Sequence, residues 1–209
     1  LGGIALTHAH IGHYSGLLFF GKESLGAKNI NVYSMPRMSS FLKHNGPWSQ
    51  LIRDKNIKIN KLKNDSIQTL SKYISIKPIL VPHRDEFSET VGYLIEGENK
   101  SALFLPDIDK WEKWDKKIED FIRSVDYAFI DGTFYSDNEI PHRNMDEIPH
   151  PFIVETLERF KNLKKKYKKK VYFIHLNHTN PLLKPNNKIT EEIIKKGFNV
   201  ARTGMKFKL

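Results

Sequence analysis

Hydrophobic and polar positions follow two different periods along the chain, and the two periods alternate. Apolar residues at every second position, or in short unbroken runs, predict strands, whereas spacings of three and four predict helices. The predicted strands are Leu1–Thr7, Asn31–Met35, Ile57–Leu62, Ile74–Val81, Glu89–Glu96, Ser101–Pro106, Tyr127–Ile130 and Val171–Leu176. The predicted helices are Tyr14–Leu25, Pro36 to about His44, Lys110–Ser124, Phe152–Lys166 and Thr190–Lys196.

The residues between these elements predict how the elements are connected. The polar segment Gly97–Lys100 separates two apolar strands and predicts a hairpin, and the Gly-Pro pair within Asn45–Trp48 predicts a loop. The tail Phe198–Leu209 is expected to add a final strand pair. Strands and helices in this mixed order are typical of a layered α/β or α+β fold. A chain of 209 residues is long enough for one sizeable core, so we expect a single domain over residues 1–209.

The start of the chain lies inside a predicted element. Leu1 enters directly into a predicted strand without an initiator methionine, so we expect a fragment that lacks its first strands and any targeting segment. No apolar run reaches the length of a membrane-spanning helix. The expected partners therefore exclude a membrane, and the expected location is cytoplasmic.

Composition narrows the chemistry that the chain can support. There is no cysteine, so a metal ion must be bound by His, Asp or Glu side chains. The net charge is +10, but only seven of the 34 basic residues are Arg, and the densest Lys run is Lys161–Lys170. Surfaces that bind nucleic acid usually combine Arg with aromatic residues. The run is better interpreted as a solvated helix end, and no nucleic-acid partner is expected.

Three histidines at the end of the first predicted strand form the candidate metal site. His8 and His10 would point to one face of the strand, because side chains repeat every two residues. The chain then turns at Gly12 and brings His13 back towards the same point. Neutral imidazole is the commonest metal ligand in proteins, and three together can hold a metal with positions left open for a substrate.

Further reactive groups follow other predicted strands. His83, Asp107 and His175 each come where an apolar strand ends. In α/β proteins the carboxyl ends of the strands form the edge at which ligands bind. Each of these residues taken alone could be a simple turn or capping residue, but together they predict an active-site edge.

These motifs resemble those of a known family. The block from Thr7 to His13 is similar to the HxHxDH signature of the metallo-β-lactamase superfamily, with Gly12 in place of the Asp. More narrowly, the chain resembles the pyrroloquinoline quinone (PQQ) synthesis protein B family, PqqB. The similar stretches are LTHAHIGHYSGL (6–17), GAKNINVYSMPRM (26–38), NGPWSQL (45–51), VPHRDEFSETVGYLI (81–95), ALFLPDIDKW (102–111), DGTFY (131–135), EIPHPF (147–152) and FIHLNHTNP (173–181).

The resemblance implies a fold and a set of ligands. The fold would be the αββα sandwich of the metallo-β-lactamases, without its first strands. The ligands of a first metal would be His8, His10 and His83. Asp107 would bridge to a second metal, which His13 and His175 would complete. The implied cofactor is a divalent ion, iron or zinc, with one or two ions per chain.

Gly12 in place of the expected Asp weakens the second site. What remains there is His13, His175 and Asp107, which has the composition of the two-histidine, one-carboxylate set of non-haem iron oxygenases. The PqqB resemblance implies oxygen-dependent hydroxylation of a tyrosine-derived precursor in PQQ biosynthesis, so the substrate would be a small molecule or peptide-derived. The alternatives are a metallo-hydrolase of an ester, lactam or phosphodiester and, third, a carrier protein that binds a quinone.

Residues beside the candidate ligands have two interpretations each. Arg84 and Asp85 could bind an anionic substrate group or orient a ligand, or they could form a surface ion pair. His178 could donate a proton or replace His175 as the ligand. Asp109 is interpreted as a cap of the following helix.

The remaining candidates are assigned as follows. A loop after the strand Tyr127–Ile130 is expected to form a substrate wall with Thr133, Tyr135, His142 and Arg143. His150 is interpreted as a capping-turn residue and His44 as a surface residue. The aromatic residues Tyr14, Trp48 and Trp111 are interpreted as core rather than pocket.

Overall fold

Short strands alternate with short helices in two units of the chain. A computed structural model describes residues 1–140, 142, 144 and 147–209. Unit 1 comprises Leu1–Leu80 and Arg84–Val91, and unit 2 comprises Val81–His83 and Gly92–Leu209. Among the described residues, no helix combines the length and the apolar character needed to cross a membrane.

Unit 1 contains a parallel sheet in which strand β1 lies beside β2 and β2 beside β3. Its strands are β1 (Ile4–Ala5), β2 (Ile30–Ser34) and β3 (Ile57–Lys61). Its helices are α1 (Ile11–Tyr14), a 3-10 helix (Ser15–Phe20), α2 (Pro36–His44) and α3 (Trp48–Arg53). The strands β4 (Gln68–Thr69) and β5 (Ser75–Leu80) pair in antiparallel fashion.

Apolar residues from the strands and helices of unit 1 form one core. The buried members include Leu6, Tyr14, Leu17, Val32, Met38, Leu42, Leu51 and Ile57. The Tyr14 ring lies 5.3 Å from that of Phe41 and 4.8 Å from that of Trp48, measured between ring centroids. The interpretation of Tyr14 and Trp48 as core is therefore confirmed. Because Tyr14 ends α1, this packing fixes the helix that carries His13.

Unit 2 contains a sheet in which the strands lie in the order β10-β9-β8-β7-β6. The strands are β6 (Val91–Glu96), β7 (Ser101–Leu105), β8 (Tyr127–Asp131), β9 (Val171–Ile174) and β10 (Asn199–Val200). The β6–β7 pair is antiparallel, with Tyr93 opposite Phe104, so the predicted hairpin is confirmed. The pairs β7–β8, β8–β9 and β9–β10 are all parallel.

Helices pack against the apolar strands of unit 2. They are α4 (Ile118–Ser124), α5 (Ile153–Arg159), α6 (Lys165–Lys168) and α7 (Lys188–Lys195), with 3-10 helices at Trp111–Lys113, Asp137–Glu139 and Pro181–Leu183. Leu103, Ile130, Phe160 and Phe173 are completely buried in the core. The Trp111 ring is buried with them, and its indole Nε1 donates to Thr156 Oγ1 at 2.9 Å, which confirms Trp111 as a core residue.

Several predicted elements are shorter than their hydrophobic pattern indicated. The predicted helix Tyr14–Leu25 is an α-helical turn that continues as a 3-10 helix only to Phe20. The Ser15-Gly16 pair favours helix poorly, which accounts for the change. The predicted helix Lys110–Ser124 begins as a 3-10 turn and becomes α-helical only at Ile118. The predicted helix Phe152–Lys166 divides into α5 and α6.

The prediction for the tail was wrong, and the loop before α3 is one residue shorter than predicted. The tail contains β10, paired with β9, but no second strand, so the predicted strand pair is not formed. Helix α3 begins at Trp48, the last residue of the predicted loop Asn45–Trp48, because Trp48 and Leu51 pack inward on one helical face.

Candidate metal-binding site

Three imidazoles of unit 1 lie against one another and form what we call the histidine triplet, His8, His10 and His13. The His8 side chain is buried, and its Nε2 lies 2.9 Å from His10 Nδ1. The His8 ring centroid is 4.4 Å from that of His10 and 4.3 Å from that of His13. The His13 amide donates to the His10 carbonyl at 2.8 Å, and this turn brings His13 back over His8.

A loop of the same unit holds the histidine triplet. The backbone N–H of Ala9 donates to Ser88 Oγ at 2.8 Å. On the outer side, His10 Nε2 lies 3.1 Å from Glu86 Oε2. On the inner side, Thr7 Oγ1 lies 3.1 Å from His8 Nδ1. These contacts restrict the ring orientations, as the outer partners of metal-binding histidines commonly do.

The parallel strands of unit 2 place acidic and imidazole groups at one edge of the sheet. In the register, Leu105 lies opposite Ile130 and Asp131 lies opposite Ile174. Asp107 follows β7, Asp131 ends β8 and His175 follows β9 directly. Carboxyl ends of parallel strands meet at a common edge, so these three residues come together although the sequence separates them widely.

Two more histidines join this edge and complete what we call the aspartate cluster, which consists of His83, Asp107, Asp131, His150 and His175. Asp107 Oδ1 lies 3.8 Å from His83 Nε2 and 3.6 Å from His150 Nδ1. Its other oxygen, Oδ2, lies 3.6 Å from His175 Nε2. One carboxylate with a 3% exposed side chain therefore faces three imidazoles.

The donor set of the aspartate cluster fits a divalent metal ion. One donor atom each from His83, Asp107 and His150 can be chosen so that all lie within 4.8 Å of one another. Two ligands of a tetrahedral zinc ion are roughly 3.4 Å apart. The distances of 3.8 Å and 3.6 Å from Asp107 Oδ1 to the nitrogens of His83 and His150 are close to this value. Imidazole and carboxylate together suit zinc and iron.

Asp131 is the most enclosed acidic group of the aspartate cluster. Its side chain is completely buried and accepts four hydrogen bonds, from Thr133 N at 2.9 Å, Thr133 Oγ1 at 2.7 Å, Ile108 N at 3.2 Å and His150 Nδ1 at 2.7 Å. Burial alone would raise the pKa of Asp131. The charge and hydrogen bond of His150 outweigh burial and hold this pKa below its ordinary value, so the carboxylate is ionised.

His175 has an unusual backbone conformation for a residue with a side chain. Its φ angle of 60° lies in the left-handed region, which only a few per cent of residues other than glycine adopt. Its Nδ1 lies 2.8 Å from Thr133 Oγ1. Burial, the largest effect, lowers the pKa of His175 below its ordinary value although the negative charge of Asp131 opposes this. A neutral imidazole is the form that binds metal ions.

His150 and Thr133 require corrections to the sequence interpretation. His150 is not a capping residue, because Glu155 provides the cap of α5 by accepting from Phe152 N at 2.7 Å. Instead, His150 lies within the aspartate cluster. Thr133 is not part of an open substrate wall, because it is buried between Asp131 and His175.

Among the described residues, Arg84, Asp85 and His178 form no hydrogen bond or ion pair with the histidine triplet or the aspartate cluster. Arg84 Nε lies 3.9 Å from Glu86 Oε1, and Asp85 Oδ1 accepts from Thr90 Oγ1 at 2.9 Å. His178 is exposed and lines a groove of about 540 Å³ with residues that include Pro181 and Asn187.

The remaining candidates lie in loops or on the surface, away from the aspartate cluster. Asp109 Oδ1 accepts from the neighbouring Lys110 N at 2.7 Å, but Lys110 is itself the N-cap of the following 3-10 helix, so the interpretation of Asp109 as the helix cap was wrong. Tyr135 lines a separate groove with Leu157 and Phe198. His44 and His142 are exposed, as expected for His44, and Arg143 lies outside the described residues.

A family model described as the Beta-lactamase superfamily domain matches residues 1–176. The chain belongs to this superfamily. The predicted metallo-β-lactamase fold, a mixed α/β class, is therefore confirmed, and with it the resemblance stated from the motifs.

Curated relatives of this superfamily member are PQQ synthesis proteins. Coenzyme PQQ synthesis protein B of Methylobacillus flagellatus is 24% identical over 231 residues, which cover 97% of this chain and 72% of the relative. The protein of the same name from Acinetobacter baumannii is 28% identical over 183 residues, covering 81% of this chain and 59% of the relative.

Solved structures share the fold of this superfamily member. Zn²⁺-bound PqqB from Methylobacterium extorquens has a TM-score of 0.80 at 18% identity, covering 99% of this chain and 73% of that one. The metallo-β-lactamase fold protein YhfI from Bacillus subtilis has a TM-score of 0.65 at 16% identity, with 98% and 76% coverage. Human tRNase Z, short form, has a TM-score of 0.55 at 13% identity, with 85% and 73% coverage.

Proposed function

We propose that this protein is a metal-dependent, PqqB-like enzyme that hydroxylates a tyrosine-derived precursor with molecular oxygen in PQQ biosynthesis. The observation that carries the proposal is the donor set of His83, Asp107 and His150, which combines two imidazoles with one carboxylate. This composition is that of non-haem iron oxygenases. The similarity to PQQ synthesis proteins supports a role in PQQ biosynthesis.

Each unit contributes its own ligands in this proposal. From unit 1 the ligands are the three members of the histidine triplet. From unit 2 they are His83, Asp107 and His150, with His175 beside them, and one or two divalent ions would be bound per chain. A bound iron ion would supply redox chemistry with oxygen, and a bound zinc ion would supply Lewis acidity. The lowered pKa of His175 keeps its imidazole neutral for binding, while the ionised Asp131 holds His150 in place.

Residues near the ligands are proposed to handle the substrate. Arg84 has an exposed side chain and is free to approach an anionic group of a small or peptide-derived substrate. Asp85 is held by Thr90, so we propose that it orients the loop that carries Glu86. His178, which is exposed, is kept as a proton donor in this proposal.

A second candidate function is hydrolysis of an ester, lactam or phosphodiester. The observation that favours it is the histidine triplet, because zinc enzymes commonly bind their ion through three imidazoles. Gly12 argues against it, because the carboxylate of the superfamily signature is missing from this position. The two functions differ in their need for oxygen and for electrons.

Oxygen dependence distinguishes these functions. Protein loaded with Fe²⁺ would be given a tyrosine-containing peptide with ascorbate as the two-electron reductant, in air and without oxygen. We expect a product heavier by one oxygen atom in air only, with the second oxygen atom released as water. Parallel assays would use p-nitrophenyl acetate, nitrocefin and bis(p-nitrophenyl) phosphate. If the zinc-loaded protein hydrolyses one of these three substrates and the peptide gains no oxygen atom, the protein is a hydrolase.

Restoring the missing carboxylate is expected to move the protein towards hydrolysis. A Cβ placed on Gly12 meets no atom within 4 Å, so Gly12→Asp should fold normally. The new carboxylate would stand next to His13, and carboxylates increase the affinity of an imidazole site for zinc. We expect Gly12→Asp to bind zinc about tenfold or more tightly and to gain hydrolysis of bis(p-nitrophenyl) phosphate.

Gly16→Asp is the matched control for this change. Gly16 is exposed, and a Cβ there also meets no atom within 4 Å, so the same charge is added on the adjoining 3-10 helix. If Gly16→Asp raises zinc affinity as much as Gly12→Asp, the effect is one of net charge. If neither variant differs from the parent protein, Gly12 does not determine the chemistry.

A further inference from the structure

One groove of unit 2, with a volume of about 570 Å³, lies beside the aspartate cluster. His175 lines it, and the side chain of this residue is 31% exposed. Arg202 and Thr203, which follow β10, line the same groove. In the parallel register Val200 lies opposite Phe173, so Arg202 and His175 each come two residues after this pair. The pairing of β9 with β10 therefore brings a guanidinium and an imidazole of the aspartate cluster to one groove.

Hydrogen bonds hold the backbone on both sides of Arg202. Ala201 N donates to the Phe173 carbonyl at 3.0 Å, which joins the tail to β9. Met205 N donates to the Arg202 carbonyl at 3.1 Å and closes a turn, in which Gly204 has a φ of 89° that favours glycine. A side chain that leaves a fixed backbone has less freedom to lose when it binds a ligand.

The guanidinium of Arg202 has a donor without an acceptor. Its Nη2 is buried, and no described residue accepts a hydrogen bond from it. Arginine is always charged in proteins, and a buried donor that finds no acceptor costs free energy. None of the described residues that line the groove is acidic. An anion in the groove would therefore supply the acceptor that the protein itself does not.

The groove favours a carboxylate that is attached to an apolar body. Leu176, Leu183 and Pro185 line it and offer apolar contacts. A guanidinium presents two parallel N–H donors, which match the two oxygens of a carboxylate. Its single positive charge balances the single negative charge of a carboxylate, whereas a phosphate group carries up to about two. Apolar surroundings strengthen the attraction between the two charges.

We propose that Arg202 binds the carboxylate of a substrate that carries this group on an apolar body. The apolar part then lies against Leu176 and Leu183, in the groove that His175 also lines. This inference rests on the proposed function, because it names the substrate class of the same site. A tyrosine-derived precursor that keeps its carboxylate belongs to this class.

Binding of 3-(4-hydroxyphenyl)propanoate and of its neutral amide tests the proposal, since the two differ only in the charged group. Isothermal titration calorimetry on the full chain should show the carboxylate binding about 10–100-fold more tightly, as hydrogen bonds to charged groups provide. In Arg202→Met this preference should disappear. Arg202→Lys, which keeps the charge without the planar fork, should retain part of it. Equal carboxylate affinity in folded Arg202→Met and in the parent protein would overturn the proposal.

Arg123→Met is the matched control for the loss of one positive charge. Arg123 lies on α4, where its Nη1 contacts Asp120 Oδ1 at 2.7 Å, and it does not line the groove. Its replacement should leave the affinities for carboxylate and amide unchanged. Thermal unfolding gives a second measurement. Removing a buried donor without an acceptor should leave the Tm of Arg202→Met no lower than that of the parent protein, whereas a clearly lower Tm would assign Arg202 a structural role instead.

Two further results separate the proposal from its alternatives. Inorganic phosphate that binds more tightly than the carboxylate, and only when Arg202 is present, would overturn the choice of a carboxylate. Carboxylate binding that depends on Arg202, in a protein that shows no oxygen-dependent turnover, would refute the proposed function and leave the assignment of Arg202 standing. Turnover without any preference for the carboxylate would do the reverse.

Discussion

Replacing Asp107 with asparagine is expected to weaken metal binding more than about a hundredfold and to reduce turnover at least as much, because changes to outer partners alone cost 10–100-fold. The Asp107 carboxylate is buried, and imidazole nitrogens of His83, His150 and His175 face its two oxygens. Asparagine has nearly the same shape but no negative charge, and its amide group would present N–H donors to one of these rings. The variant should therefore lose the metal while the fold persists.

Asp109→Asn is the control for this prediction. Asp109 lies two residues further along the same turn, where it accepts from Lys110 N and from Lys113 Nζ at 2.8 Å. The same chemical change there should leave metal content and turnover close to those of the parent protein. The comparison requires metal content by mass spectrometry and turnover of the tyrosine-containing peptide. Parent-like metal content and turnover in Asp107→Asn would contradict the assignment of Asp107 as a ligand.

The residues at strand ends could be predicted from the sequence because their signal is local. Asp107 and His175 each follow a run of apolar residues, and such runs predict buried strands. Parallel pairing of β7, β8 and β9 then brings the strand ends together, as the carboxyl edge of an α/β sheet requires. The histidine triplet was found in the same way, from a strand followed by a turn.

Asp131 and His150 show where that reasoning stops. Asp131 is the last residue of an apolar strand, and Asp107 follows another apolar strand closely. The rule that reactive groups at the ends of apolar strands form the site could therefore have identified Asp131 as well. His150 gives no such signal, because it lies in a loop before a proline, with no periodic pattern on either side. Its contact with Asp131 joins residues that are 19 positions apart and depends on how that loop folds back. Long-range contacts of this kind are not encoded in local spacing.

The lengths of the helices could not be predicted from the hydrophobic pattern. Apolar spacing continues through Lys110–Ser124, yet the chain becomes α-helical only at Ile118. Trp111 is instead turned into the core, where its indole bonds to Thr156. A buried contact of this kind outweighs the modest intrinsic preference for helix, since propensities differ by less than about 1 kcal/mol per residue.

Metal removal tests the central claim most directly, namely that this chain is a metal-dependent enzyme. The measurement is turnover of the tyrosine-containing peptide, with metal content by mass spectrometry, before chelation with 1,10-phenanthroline, after it, and after addition of Fe²⁺ or Zn²⁺. We predict that metal and activity are lost together and that Fe²⁺ restores both, because the donor set of His83, Asp107 and His150 suits iron. Full activity in protein from which the metal has been removed would contradict the account.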